Sequence, residues 1–228
     1  MSPWPFVGRE REIARIRAEL EAGRSVVLTG IWGIGRTSLA RHVANEMAKD
    51  WIFVFADFER GPGDVWRDLF AAVFPKAQVR LRNQVRSVKW MRFRVSNQRL
   101  ENSRRHAVVL DNVARLSAPR LDVLRRLRER YQVVAIAEDF LPEPAKAALC
   151  TVLWARPPFR LGPLRRATTS TFFEECSRRH GLGWGPGEVR GLAQATRGFP
   201  LGMTEAVASE IRRRRNLQGG SGLSIGAR

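Results

Sequence analysis

A chain of 228 residues suits one domain of ordinary size or a larger domain with a small appended one, and its 44% hydrophobic content is enough to build a buried core. Forty Lys and Arg oppose 22 Asp and Glu, and the resulting formal charge of +18 attracts polyanions, DNA or RNA first and an acidic membrane surface second; an arginine-rich bias with no ligand is the bland alternative. No stretch approaches the ~20 apolar residues of a membrane span, no signal-peptide core follows Met1, and Cys150 and Cys176 imply neither a disulfide framework nor a metal clip, so a soluble, cytoplasmic protein with no membrane partner is expected.

Residues 8–22, GREREIARIRAELEA, place Ile13, Ile16 and Leu20 at helical spacing, and Gly23 stops that helix. SVVLTG then reads as a buried strand running into a glycine-rich loop, and TSLARHVANEMAKD follows as a helix with Leu39, Val43 and Met47 on one face. WIFVFADF (51–58) is a second strand and GPGDVWRDLFAAVF a turn and helix. HAVVLDN (106–112) is a third strand, ending in an acid. The next helix, SAPRLDVLRRLRERY, has Ser117 as its N-cap, and QVVAIAED (132–139) is a fourth strand. TVLWA (151–155) is taken as a fifth. Strands alternating with helices imply an α/β fold, a parallel sheet sandwiched by helices. Beyond about residue 162 the strand signals stop, and LRRATTSTFFEECSRRHG, GPGEVRGLAQAT and PLGMTEAVASEIRRRR read as three helices. The expected organisation is an α/β nucleotide-binding domain over 1–162, a small helical lid over 163–215 and a flexible Gly/Ser-rich tail over 216–228.

The loop GIWGIGRT (30–37) has the spacing Gly-x-x-x-x-Gly-Lys-Thr of a phosphate-binding loop, with Arg36 where lysine is expected. Gly30, Gly33 and Gly35 let the backbone wrap an anion, so that N–H groups and a helix N-terminus point at it. Thr37 offers a hydroxyl to Mg²⁺. Arg36 keeps the charge without lysine's compact ammonium. VVLDN puts Asp111 at the end of a strand, where phosphoryl-transfer sites hold Mg²⁺. Asn112 follows; a neutral amide can orient water but cannot take its proton. Both departures fall on residues that hydrolysis needs, so slow or absent turnover is expected. The three histidines, His42, His106 and His180, do not cluster and are assigned no metal.

With FVGREREI (6–13), LTGIWGIGRTSLAR (28–41), VVLDN (108–112), LGPL (161–164) and GFPLGM (198–203) in this order, the chain resembles P-loop ATPases of the AAA+ and STAND group, most nearly their NB-ARC-like and AAA_16-like domains. The resemblance covers most of residues 5–210. It implies ATP and Mg²⁺ as ligands. It places Val7, Gly8 and Arg9 near the adenine, and wraps the phosphates with Gly30, Trp32, Gly33, Ile34, Gly35, Arg36, Thr37 and Ser38. It gives the metal to Thr37 and Asp111 and closes Pro200 over the base. The strand ending at Ala137 and Glu138 would be the sensor strand, where a polar or basic residue is usual and Glu138 fits poorly. In an oligomer, a neighbour's arginine would complete the site, with Arg156 foremost and Arg130 and Arg160 behind it. STAND proteins continue into winged-helix and repeat domains, so an end at residue 228 favours a stand-alone AAA+ helper.

Residues 76–105, KAQVRLRNQVRSVKWMRFRVSNQRLENSRR, are a dense basic block with Glu101 as their one acid. Arg80, Arg82, Arg86, Lys89, Arg92 and Arg94 can meet phosphates and Trp90 can stack on bases. The alternative is a solvated helix docked by Val85, Val88, Phe93 and Val95. Three functions follow. The first is an ATP-binding AAA+-like protein that assembles on double-stranded DNA as a homo-oligomer with weak hydrolysis, as a helper in transposition or recombination beside a partner such as a transposase. The second is a STAND-type signalling or defence switch, and the third a non-catalytic P-loop protein. ATP is not distinguished from GTP by any motif.

Overall fold

The computed structural model describes residues 4–74, 87–97 and 104–220, with side chains described as far as residue 217. Two compact units emerge: one holds 10–32 and 36–161, the other 1–9, 33–35 and 162–228.

The first unit is built on five parallel strands, β1 (Val26–Thr29), β2 (Trp51–Asp57), β3 (Arg105–Val113), β4 (Gln132–Ala137) and β5 (Phe159–Arg160), in the order β2-β3-β4-β1-β5. Its helices are α1 (Glu10–Glu21), α2 (Arg36–Glu46), α3 (Pro62–Val73), α4 (Val88–Asn97), α5 (Ala118–Arg128) and α6 (Glu143–Leu153). Strands β1 and β4 and the middle of β3 are β-branched, apolar runs because both of their faces are covered. Alternate residues Val27, Val54, Ala56, Val108, Leu110, Val133 and Ala135 join Phe58, Trp66, Leu69, Leu124 and Leu149 in one core. The intervening Val26, Leu28, Val109, Val134 and Ile136 are buried as well. The expected sandwiched parallel sheet is therefore present.

Three local expectations change. TVLWA is not a strand: residues 151–153 finish α6, Trp154 caps it in the left-handed region at φ 50°, and the fifth strand is Phe159–Arg160. Alanines and leucines upstream, AKAALC, carry the helix through a β-prone run. Ser117 occupies the N-cap of α5 but makes no side-chain capping bond; Pro119 in the first turn supplies the preset φ instead. The basic block contains α4, preceded by Ser87, whose hydroxyl accepts from the Trp90 N–H at 3.2 Å. Val88, Trp90 and Met91 pack on the core around buried Val95, while Phe93 is 62% exposed and not a docking residue. Tyr131 fastens the helix by donating its hydroxyl to the Val95 carbonyl at 2.9 Å.

The second unit packs α7 (Arg166–His180), α8 (Pro186–Thr196) and α9 (Pro200–Gly220) around Phe172, Phe173, Leu182, Met203 and Val207. Helix α9 runs through 216–220, five residues expected in the tail. Cys176 is buried among these side chains, and burial pushes its thiol up to about 11; Cys150 is buried in the other unit, and both are free. Among the described residues no helix is long and apolar enough to cross a membrane.

Candidate functional site

Strand β1 delivers the chain to the loop at Gly30, and α2 begins at Arg36. All three loop glycines have positive φ: 145° at Gly30, 81° at Gly33 and 92° at Gly35. An L side chain adopts such angles rarely, which is why the tight anion-wrapping turn is written in glycine.

The strand order puts β4 beside β1 and β3 beside β4, so the first turn of α2 faces the C-terminal ends of β3 and β4. There the Thr37 hydroxyl donates to Asp111 Oδ2 at 2.9 Å. A hydroxyl and a carboxylate in contact are hard oxygen donors of the kind Mg²⁺ takes together with waters and phosphate oxygens, so these two residues fit that ion. Asp111 Oδ1 accepts from the Asn112 backbone N–H at 3.0 Å, which orients the carboxylate.

Asn112 lies in a bulge of β3, where the pairing with β4 slips between Leu110 and Val113, and its φ is 58°. Asparagine tolerates that region better than most residues. Its side-chain amide donates to Asp57 Oδ1 at 3.1 Å. Asp57 is in register with Asp111 on the adjacent strand and also accepts the Glu59 N–H at 3.0 Å. Asn112 thus touches both acids, Asp111 through its backbone N–H and Asp57 through its side-chain amide.

Arg36 is 6% exposed. Its guanidinium turns to the end of β4: Nη1 donates to the Ala137 carbonyl at 2.6 Å, and Nη2 to both carboxylate oxygens of Glu138 at 3.0 and 2.8 Å. Glu138, an ill-fitting sensor when read alone, is the counter-charge of the lysine-to-arginine departure. A buried guanidinium without such a partner would be very costly.

Asn112 and Glu138 line an open cleft of about 610 Å³. Its rim carries Ile31, Trp32 and Phe140, the last two each 72% exposed, and its acids are Glu59, Glu138 and Asp139. Arg160, at the end of β5, pairs with Asp139 at 2.9 Å on this side of the sheet. Arg156 does not come here. It precedes β5, at the opposite ends of the strands, and pairs with Glu19 of α1 at 3.4 Å. Arg130 likewise sits before β4, at the N-terminal ends of the strands.

The remaining expected nucleotide contacts belong to the second unit. Gly8 and Arg9 are consecutive left-handed residues at φ 69° and 74°. Arg9 Nη2 donates to the Gly162 carbonyl at 2.6 Å and to the Ile34 carbonyl at 3.3 Å, while Val7 packs on the helical core. The Gly33 carbonyl accepts from the Leu201 N–H at 3.1 Å, beside Pro200, which is half-buried. Gly198 precedes α9 with φ 72°; a Cβ there would come within 2.0 Å of the Leu164 carbonyl oxygen, so no side chain fits. Ser38 is exposed.

Of the residues assigned to DNA, Arg80, Arg82 and Arg86 lie outside the described residues. On α4, Lys89 and Arg94 are exposed and Arg92 lies 4.0 Å from Asp122. Trp90 is half-buried against Phe70, ring centroids 5.4 Å apart, and Arg94 covers it at 5.7 Å. Phe93 is the exposed ring of this helix. Sequence reasoning passed over Asp57, Asp139 and the pairing of Glu138. The lone arginine that follows the glycine loop was the signal, since once buried it demands an acid nearby.

A family model described as an AAA ATPase domain matches residues 5–179. No curated protein matches the sequence significantly. Among solved structures, the Aeropyrum pernix ORC1 protein in complex with DNA is 20% identical, with a TM-score of 0.66 over 93% of this chain and 62% of that one. The Aeropyrum pernix ORC2 protein, in ADPNP–ADP complexes, is 14% identical, with a TM-score of 0.69 over 95% of this chain and 66% of that one. A RuvB variant of Thermotoga maritima is 15% identical, with a TM-score of 0.54 over 89% of this chain and 61% of that one. The chain thus spans less than two thirds of the length of each.

Proposed function

The chain belongs to the AAA ATPase domain family, and from that premise we propose that it binds ATP with Mg²⁺ through residues 30–38 and assembles on double-stranded DNA, hydrolysing the nucleotide slowly or not at all. Thr37 and Asp111 would hold the metal, which supplies charge neutralisation at the phosphates. Val7, Gly8, Arg9 and Pro200 would hold the base. A neighbouring subunit's arginine, Arg156, Arg130 or Arg160, would complete the site in an oligomer. Slow turnover follows from two engaged side chains: Arg36 is spent on Glu138 and the Asn112 amide on Asp57.

The observation that carries the DNA reading is the outer face of α4, where Lys89, Arg92 and Arg94 flank exposed Phe93 on a chain of formal charge +18. Nothing in this helix resembles a reader of base edges, so contacts would go to phosphates, with an aromatic ring to pack on sugars or stack on bases. The DNA-bound ORC1 structure supports the reading by likeness of fold. A homo-oligomer acting as helper or adaptor in transposition or recombination, beside a partner such as a transposase, is the finer role we infer.

The test is a salt titration of binding to a random-sequence duplex, with and without ATP, for the wild type and Lys89→Ala/Arg92→Ala/Arg94→Ala. Each phosphate-binding cation removed should flatten the logarithmic salt slope by about 0.9. An unchanged slope moves the DNA surface off α4. No binding by the wild type at low salt, with or without nucleotide, rules out the DNA role and favours a signalling switch with protein partners.

A further inference from the structure

We propose that Glu138 makes this a diphosphate site: by taking the loop's one cation, it leaves the loop selective for a nucleoside diphosphate over the triphosphate. The inference rests on the reading that residues 30–38 bind nucleotide.

Residues 30–38 contain one charged side chain, Arg36. In a phosphate-binding loop the backbone N–H groups and the helix N-terminus hold the inner phosphates, and the basic side chain reaches the outermost ones. Those two tasks are separable here. The glycine backbone is intact, with positive φ at Gly30, Gly33 and Gly35, so the inner grip is available. The outer grip is not. Arg36 is buried and turned away onto the end of β4, where Nη1 and Nη2 are committed to the Ala137 carbonyl and the Glu138 carboxylate. Its charge is neutralised by an ion pair of 2.8 Å between groups that are 7% and 13% exposed.

The neighbourhood adds negative charge. Asp57 ends β2 and Asp111 lies near the end of the adjacent β3, and Glu59 and Asp139 line the cleft beside the Arg36-paired Glu138. Of the arginines beside the cleft, Arg160 pairs with Asp139 and Arg120 is held by the Phe58 and Glu59 carbonyls, while Arg115 follows the lining residue Ala114 and is exposed. A terminal phosphate would bring charge to an edge that has no unengaged cation among the described residues lining the cleft. A diphosphate ends before that edge and loses nothing. Thr37 and Asp111 would hold Mg²⁺ with either ligand. Like charges a few ångströms apart near a protein surface repel enough to give a discrimination of about tenfold or more.

The experiment is competition calorimetry of the full chain with ADP and ATP, in Mg²⁺ and in EDTA, for the wild type, Glu138→Gln and Glu138→Thr. Thermal melting of each variant shows that it is folded, and two neutral replacements guard against one that is not. The expected result is a wild type that binds ADP at least ~10-fold more tightly than ATP, with the neutral variants raising ATP affinity about tenfold and leaving ADP within about twofold. A wild type that binds ATP as tightly as ADP overturns the proposal. So does a folded variant whose ratio is unchanged. Binding of neither nucleotide overturns the nucleotide reading itself, and this inference with it.

Discussion

Arg36 and Arg94 are the same side chain in two surroundings. Arg36 opens α2 in the interior, held by Ala137 and Glu138; Arg94 lies on α4 in solvent, resting over the rings of Phe74 and Trp90 at 5.5 and 5.7 Å. Burial decides what each can do. An interior guanidinium must be matched by an acid and becomes architecture, whereas an exposed one keeps its charge available to a polyanion. A formal charge of +18 is therefore not evenly active: Arg36 is spent on Glu138, whereas Lys89 and Arg94 of α4 are exposed.

Breaking the interior pair should have the largest effect. Arg36→Ala leaves Glu138 with no partner and should cost about 3–5 kcal/mol of stability, seen as a lowered urea midpoint. Arg94→Ala removes an exposed stacking interaction and should stay within about 1 kcal/mol. Equal losses at the two positions would erase the distinction drawn between them.

Next in size is catalysis. Restoring lysine alone should gain little, because Glu138 would take the ammonium as it takes the guanidinium. Arg36→Lys/Asn112→Glu/Glu138→Asn frees the cation and supplies a base, and should raise phosphate release by about a hundredfold over the wild type. If Arg36→Lys/Asn112→Glu performs as well, Glu138 is not what holds turnover down.

The exposed cluster gives a smaller effect. Removing Lys89, Arg92 and Arg94 together should weaken duplex binding by about tenfold at moderate salt with the melting temperature little changed. A loss of DNA binding that accompanies unfolding would make α4 a structural helix after all.

The smallest expected change is in acid. Glu19 is a buried carboxylate whose hydrogen bond from Arg24 holds its pKa below the usual 4.5, against the opposing pull of burial and with help from Arg156 and Arg15. A lowered folded pKa contributes stability above the unfolded value that is lost as pH falls through the folded one. Stability should therefore decline below about pH 4.5, and Glu19→Gln should flatten that decline in melts run from pH 6 to 3. An identical acid profile in the variant assigns the decline to other carboxylates.

Local chemistry alone determined much of this protein. Runs such as SVVLTG and QVVAIA are apolar over the length of a strand, and their alternation with amphipathic segments implies a covered parallel sheet. GIWGIGRT names an anion-wrapping turn because few residues other than glycine accept its angles. The rest depended on strand order, which no local pattern encodes. Only the placement of β4 beside β1 brings Glu138 to Arg36, and only the pairing of β2 with β3 brings Asp57 to Asn112. Residues 151–153 became helix because the helix-forming stretch before them continued through a β-prone run that propensity left ambiguous. Trp90 and Phe93 look alike in sequence, yet packing on Phe70 half-buries one and leaves the other in solvent. Side-chain type follows from the chain; the partner a charge or ring meets is set by elements many residues away, and that required the folded molecule.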